Sequence, residues 1–209
     1  MVSSEAGCRG FVLTGGRSHR MGQEKALLAF AGRPLAVWMA QLAQRLCREV
    51  TLVGDATKYS GLGYPVIEDA FPGRGPLGGI HAALECSEMA CNLILGCDMP
   101  YLTSEFLEFL VHTAAADDSD AVVPEAKISG YEPLCAVYRR SCLPAFELAL
   151  RGGDSKVIRA LERVRVRRVT CAEWQPYDPD GNLFRNLNRP EDYQRAIELL
   201  ASAAARMHT

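Results

Sequence analysis

Short apolar runs alternate along this chain with longer segments that carry apolar residues at helical spacing, and this alternation constrains the fold most strongly. The short runs predict strands, and they lie at 9–13, 50–53, 65–67, 91–97, 121–124, 134–138 and 164–169. The longer segments predict helices, and they lie at 34–47, 77–85, 103–116, 143–150, 156–162 and 190–205. Strands that alternate with helices are typical of a mostly parallel sheet covered by helices on both faces. We therefore expect a three-layer α/β fold.

The length of 209 residues suits one α/β domain and leaves little room for two. No internal repeat, low-complexity tract or linker divides the chain, because the Pro- and Gly-rich piece at 70–79 is too short to separate domains. We predict a single domain over 1–209, with a core from about 9 to 200 and short mobile termini.

Composition narrows the class of protein further. The net charge of −2 argues against a broadly basic surface, so we expect no nucleic-acid partner. No apolar stretch is long enough to span a bilayer and the amino terminus lacks a signal-peptide pattern, so we expect a cytoplasmic protein without a membrane partner. Eight cysteines without a Cys-x-x-Cys pair favour reduced, buried thiols over a zinc or iron–sulfur site.

The loop after the first predicted strand, at 13–25, is rich in glycine and in cations. Ligands of such sheets bind at the carboxyl ends of the strands. Glycines let backbone N–H groups approach an anion, and Arg17, Arg20 and Lys25 supply positive charge, so the loop suits a triphosphate. It is neither a Walker A loop nor a dinucleotide-binding fingerprint. The alternative is an ordinary turn with solvated arginines, and for Arg17 both interpretations stay open.

Asp98 follows the most apolar predicted strand, at 91–97. Magnesium prefers one or two carboxylates together with phosphate oxygens and water. Asp98 is therefore a candidate metal ligand beside the phosphate loop, and a role in capping the next turn is the alternative.

Five segments together resemble the molybdenum cofactor guanylyltransferases over nearly the whole chain. They are Leu-Thr-Gly-Gly-Arg-Ser-x-Arg-Met-Gly-x-Glu-Lys at 13–25, Ile-Glu-Asp at 67–69, Gly-Pro-Leu-Gly-Gly-Ile at 75–80, Cys-Asp-Met-Pro at 97–100 and Asn-Leu-Asn-Arg-Pro-Glu-Asp at 186–192. The resemblance implies a Rossmann-like nucleotidyltransferase fold. It also implies transfer of GMP from GTP to the terminal phosphate of molybdopterin, with release of pyrophosphate.

The resemblance also implies roles for individual residues. The catalytic residues would be Lys25, Asp98 and Arg20. Asp98 would also bind Mg²⁺, with Mn²⁺ as the alternative ion, and Asp69 would contact the guanosine part of GTP. The nucleotide contacts would be Leu13, Thr14, Gly15, Gly16, Arg17, Lys25, Asp69, Gly78 and Asp98. Asn186 and Asn188 would belong to the pterin-side pocket.

Five positions depart from the pattern that the resemblance implies. Many members carry Asp where Glu24 stands, which keeps the charge but changes its reach, and a Thr often stands in place of Arg189, which cannot cap the last helix through a side-chain acceptor. Family members often carry Ala where Thr14 and Gly78 stand, and both replacements keep a small residue, so close backbone approach stays possible. The second strand often ends in an Asn that contacts the nucleotide, whereas this chain has Gly54 there.

Two alternatives remain at this stage. One is the cytidylyltransferase version of the reaction, which uses CTP, although Gly15-Gly16 and the 76–79 segment favour GTP. The other is a non-catalytic nucleotide-binding adaptor with the same fold. For an active enzyme, the partners implied are GTP and molybdopterin, with transient contacts to molybdopterin-synthesis proteins or apo-molybdoenzymes.

Overall fold

A computed structural model describes residues 7–15, 24–126 and 130–206 of the chain, and these residues form a central sheet with surrounding helices. The strands are β1 (Cys8–Leu13), β2 (Ala29–Phe30), β3 (Arg33–Pro34), β4 (Glu49–Val53), β5 (Val66–Ile67), β6 (Cys91–Gly96), β7 (Ala121–Pro124), β8 (Cys135–Tyr138) and β9 (Val166–Val169). The α-helices are α1 (Leu35–Gln44), α2 (Ala56–Tyr59), α3 (Pro76–Cys86), α4 (Ser104–Ala116), α5 (Leu143–Arg151), α6 (Val157–Leu161), α7 (Cys171–Trp174) and α8 (Pro190–Arg206). Every strand and helix that the sequence predicts is present.

Within the described ranges the large sheet has seven strands in the order β5-β4-β1-β6-β8-β7-β9. The half from β5 to β6 is parallel, and Leu13 pairs with Val53 on one side and with Gly96 on the other. The carboxyl ends of these strands therefore meet at one edge. β8 runs antiparallel to both β6 and β7, whereas β7 and β9 are parallel. Most pairs of adjacent strands are therefore parallel, and the prediction of a mostly parallel sheet is confirmed.

Alternate residues along the strands supply two cores, one on each face of the sheet. On β1, Val12 joins a core with Met39 of α1 and Phe106 of α4. Its neighbour Phe11 faces the other core, which α3, α5 and α6 cover. Because successive strand side chains point to opposite faces, one apolar strand can hold both layers together. The predicted three-layer α/β architecture is thus confirmed.

Local turn chemistry produces elements that the sequence analysis did not predict. β2 and β3 form a hairpin through Ala31 and Gly32, whose φ angles of 49° and 77° are both positive. Asn-Gly is the usual sequence signal for such a turn, and this chain has Ala31 in place of the Asn, so the hairpin was not predicted.

The short helices α2 and α7 were not predicted either. β9 begins at Val166 rather than at 164, because the N–H of Val164 donates to the preceding helical turn.

Most cysteines pack inside the molecule, as expected. The structure buries Cys8, Cys47, Cys91, Cys97, Cys135 and Cys142, whereas Cys86 is exposed and Cys171 is partly exposed. None of the helices in the described part of the chain has both the length and the apolar character needed to cross a bilayer.

Candidate active site

Backbone hydrogen bonds continue beyond the strand ends and tie four loops into one edge. The N–H of Thr14 donates to the carbonyl of Val53 at 3.0 Å, and the N–H of Gly54 donates to that of Ile67 at 2.9 Å. On the other side, the N–H of Cys97 donates to the carbonyl of Leu13 at 3.1 Å. The loops after β1, β4, β5 and β6 are therefore adjacent, where the sequence predicts ligand binding.

Lys25 is the centre of the polar cluster at this edge. Its Nζ donates to Asp98 Oδ2 at 3.0 Å and to Asn188 Oδ1 at 3.1 Å. The side chains of Lys25 and Asp98 are only 17% and 20% exposed, so water screens this ion pair less than a surface pair. The structure thus brings together three residues that the sequence analysis selected separately.

The segment before α8 reaches this cluster through a backbone contact. The N–H of Leu187 donates to the carbonyl of Asp98 at 2.9 Å, which places Asn186 and Asn188 on either side of that contact. Asn188 binds Lys25, and Asn186 Oδ1 is a buried oxygen for which the described residues provide no hydrogen-bond donor. Both amides are therefore close to the charged pair, and their assignment to the pterin side stays a prediction.

The arrangement around Lys25 fits a divalent cation. The oxygens of Asp98 and Asn188 already converge on one positive charge, and carboxylate and amide oxygens are the donors that Mg²⁺ accepts. In the described residues, no three or more His, Cys, Asp or Glu side chains lie close enough together to hold a metal ion. A metal bound here would need oxygens from a ligand, as expected when phosphates complete its coordination.

Glu132 is a carboxyl group at this edge that the sequence analysis missed. Burial and the negative charge of Asp98 raise its pKa to about 7. Its position depends on β8: the N–H of Glu132 donates to the carbonyl of Pro124, and the N–H of Gly96 donates to that of Leu134. No local pattern signals this placement, because it follows from the antiparallel return of the chain beside β6.

In the described part of the glycine loop, Thr14 is held firmly, whereas the backbone of Gly15 is accessible to a ligand. Thr14 is 4% exposed, and its hydroxyl donates to the carbonyl of Val53 at 2.9 Å. At Gly15 a Cβ atom would meet no atom of the described residues within 4 Å, which leaves room for a ligand beside its backbone. Of the other predicted contacts in this loop, Gly16, Arg17 and Arg20 lie outside the described residues.

Asp69 and Gly78 form a close pair at the start of α3. The carboxylate of Asp69 accepts a hydrogen bond from the N–H of Phe71 at 2.7 Å. A Cβ atom at Gly78 would lie 2.6 Å from Asp69 Oδ1 and closer still to Oδ2, and a Cβ at Gly79 would collide with Leu13. The glycines of α3 therefore allow both predicted nucleotide contacts, Leu13 and Asp69, to lie directly against the helix.

Cys97 lies next to Asp98 but serves packing. It is 6% exposed, and burial, with the charge of Asp98, raises the pKa of its thiol to about 12. The reactive thiolate form is therefore disfavoured.

Comparison with known proteins agrees with this geometry. Residues 10–166 match the model of the MobA-like NTP transferase domain. The chain is 31% identical to a probable molybdenum cofactor guanylyltransferase of Carboxydothermus hydrogenoformans, over 91% of this chain and 95% of that protein. It is 33% identical to the molybdenum cofactor guanylyltransferase of Desulfosudis oleivorans, over 90% of this chain and 93% of that protein.

A solved structure extends the comparison to three dimensions. The molybdopterin-guanine dinucleotide biosynthesis protein A of Archaeoglobus fulgidus superimposes with a TM-score of 0.81 at 29% identity, over 93% of this chain and 99% of that one. The family model extends from β1 to the start of β9 and includes the glycine loop and the strand that precedes Asp98, and the chain belongs to the MobA-like NTP transferase family.

Proposed function

We propose that this protein transfers GMP from GTP to the terminal phosphate of molybdopterin, forming the guanine dinucleotide cofactor and releasing pyrophosphate. The observation that carries the proposal is the cluster of Lys25, Asp98 and Asn188 beside the glycine loop. The names of the relatives support the same reaction.

In this reaction the nucleophile is already an anion. A phosphate oxygen of molybdopterin forms a bond to the α-phosphorus of GTP, and the bond from that phosphorus to the bridging oxygen of the β-phosphate breaks, so pyrophosphate leaves. No general base is needed, and the difficulty is repulsion between anions. Lys25, at the carboxyl edge of the sheet, would place its ammonium beside the reacting phosphates and stabilise the charge that develops there.

Asp98 would hold Mg²⁺, or Mn²⁺ in its place, with Asn188 within reach as a second oxygen donor. The metal would neutralise phosphate charge and orient the leaving group when bound. In the structure the Lys25 ammonium contacts the oxygens that such a cation would use. When the cation and the substrate bind, the ammonium would therefore turn towards the phosphates.

The nucleotide would bind across the ends of β1, β4 and β5. Leu13 would pack against it, and the backbone of Thr14 and Gly15 would supply hydrogen-bonding groups. Asp69, held by the N–H of Phe71, would contact the guanosine part beside Gly78. From the sequence, Gly16, Arg17 and Arg20 are proposed as further phosphate contacts.

The acceptor would bind on the side of Asn186 and Asn188. The exposed amide of Asn188, beside Lys25, is available to hydrogen-bond a pterin group, and Asn186 lies two residues before it in the same segment. Because the product is handed on, we propose transient contacts with molybdopterin-synthesis proteins or apo-molybdoenzymes in the cytoplasm.

The deciding experiment measures pyrophosphate release with authentic molybdopterin while the nucleobase is varied. Release with GTP and Mg²⁺, and little with CTP, is the expected result. Preference for CTP would establish the cytidylyl reaction instead, and tight GTP binding without release would indicate a nucleotide-binding adaptor. Thermal shift gives a parallel reading, since a ligand at 100 times its dissociation constant stabilises a protein by about 2.7 kcal/mol.

A further inference from the structure

Tyr59, the last residue of α2, is 2% exposed and lies against the loops that follow β1 and β4. A Cβ atom at Gly54 would come within 2.9 Å of Tyr59 Cε2 and would collide with the hydroxyl of Thr14. The ring therefore occupies the space that a side chain at position 54 would fill. This packing leaves little freedom for the phenol group.

The hydroxyl of Tyr59 is directed at the glycine loop. It lies 3.1 Å from Glu24 Oε2 and 3.3 Å from the carbonyl oxygen of Thr14. A phenol has one hydrogen to donate, and an ionised carboxylate is the stronger acceptor. Burial and the negative charge of Glu24 raise the pKa of Tyr59, so the group remains a donor at neutral pH.

Lys58 completes the attachment of Glu24 to α2. Its Nζ lies 2.5 Å from Glu24 Oε1, so the two carboxylate oxygens contact two consecutive residues of one helix. The helix is capped by Asp55, which accepts a hydrogen bond from the N–H of Thr57 at 2.9 Å. Its start is joined to the segment after β5, where Glu68 Oε1 accepts from the N–H of Ala56 at 3.2 Å. Glu24 is thus held by a fixed element outside its own loop.

Glu24 immediately precedes Lys25, and its backbone begins the turn from which Lys25 projects. The carbonyl of Glu24 accepts from the N–H of Leu27 at 3.0 Å, and the carbonyl of Lys25 accepts from the N–H of Leu28 at 3.1 Å. Fixing the Glu24 side chain therefore restrains the backbone that aims the Lys25 ammonium at Asp98.

We propose that Tyr59 is a positioning residue which, through Glu24, fixes the backbone turn that carries Lys25, so that its ammonium can pass from Asp98 to the reacting phosphates during guanylyl transfer. This inference rests on the proposed function for its catalytic consequence, whereas the ordering of the Lys25 turn can be measured without any turnover. Tyr59→Phe keeps the ring over Gly54 and removes only the hydroxyl. Tyr64→Phe is the matched control, because the Tyr64 hydroxyl donates to Gln44 on the surface, away from the site.

The experiment follows amide hydrogen exchange in the full-length protein by NMR, without substrate. In Tyr59→Phe we expect the amides of Leu27 and Leu28 to exchange about tenfold faster, with the amides of β1 and β6 unchanged. Lys58→Met, which alters an exposed side chain and leaves the core intact, should produce a smaller acceleration of the same two amides. Tyr64→Phe should match the parent protein.

Steady-state pyrophosphate release is the second measurement. Tyr59→Phe should lower kcat about tenfold with less than about a twofold change in the KM for GTP, and it should add nothing to a Lys25→Met background. Unchanged exchange at both amides in Tyr59→Phe and Lys58→Met, equal acceleration in Tyr64→Phe, or a parental kcat in Tyr59→Phe would overturn the inference. If the parent protein releases no pyrophosphate, the proposed function fails, and the amide measurements still decide whether Tyr59 orders the Lys25 turn.

Discussion

Lys25 Nζ lies 3.0 Å from Asp98 Oδ2, although the two residues are 73 positions apart in the chain. The strand ladder that joins β1 to β6 brings them together, since Leu13 and Gly96 are paired at the ends of those strands. The Lys25 ammonium and the Asp98 carboxylate therefore neutralise each other at the sheet edge until a charged ligand separates them.

Replacing Asp98 tests the metal assignment. Asp98→Asn removes a carboxylate charge while keeping the shape, so we expect metal-dependent turnover to be nearly abolished in a protein that still folds. Pyrophosphate release and a circular dichroism spectrum measure the two properties. Asp180→Asn, on the exposed surface, is the control, and parental rates in Asp98→Asn would contradict the assignment.

Replacing Lys25 tests the electrostatic part of the mechanism. We expect Lys25→Met to lower kcat by about 10²- to 10³-fold, the range typical for loss of one preorganised group that stabilises transition-state charge. Because Lys25 and Asp98 contact each other directly, Lys25→Met combined with Asp98→Asn should cost much less than the product of the single effects. Independent, multiplying effects in this double-mutant cycle would refute a shared role.

The Asp69 and Gly78 pair predicts a change in nucleotide affinity. Asp69→Asn keeps the shape beside Gly78 and removes the charge, so it should raise the KM for GTP about tenfold, with a smaller effect on kcat. Asp180→Asn, on the exposed surface, is the matched control. Titration calorimetry with GTP checks the result, and equal affinity in the two variants would argue against a nucleotide contact at Asp69.

Glu132 predicts a pH dependence of stability in the metal-free, nucleotide-free protein. Its pKa is raised from an ordinary value of 4.5 to about 7, so between these values the folded protein keeps a proton that the unfolded chain has lost. Stability should therefore fall as pH rises through this window, and the loss should be complete above about pH 7.

Glu132→Gln lacks this titration. Its free energy of unfolding relative to the parent should increase from about pH 4.5 to about pH 7 and then level off, as measured by urea denaturation at each pH. Glu108→Gln, on the exposed surface of α4, controls for the change in net charge. The same pH dependence in both variants would show that the effect does not belong to Glu132.

Much of the architecture follows from local pattern. Apolar periodicity predicted the strands and the main helices to within a few residues, because burial of one helix face or of a whole strand leaves a direct signature in the sequence. The motifs placed Lys25 in the loop that follows β1 and Asp98 in the loop that follows β6. The hairpin of β2 and β3 was not predicted, because Ala31 adopts a positive φ that is unusual for alanine.

The sequence by itself determined the α/β layers and the loops at which we expect the chemistry, because these depend on spacing between near neighbours. Only the tertiary structure decided which distant groups share the edge. It brings Asn188 to Lys25 across 163 positions and Tyr59 to Glu24 across 35, and the antiparallel β8 brings Glu132 near Asp98. Such contacts depend on strand order and on the packing of whole elements, and therefore no local pattern encodes them.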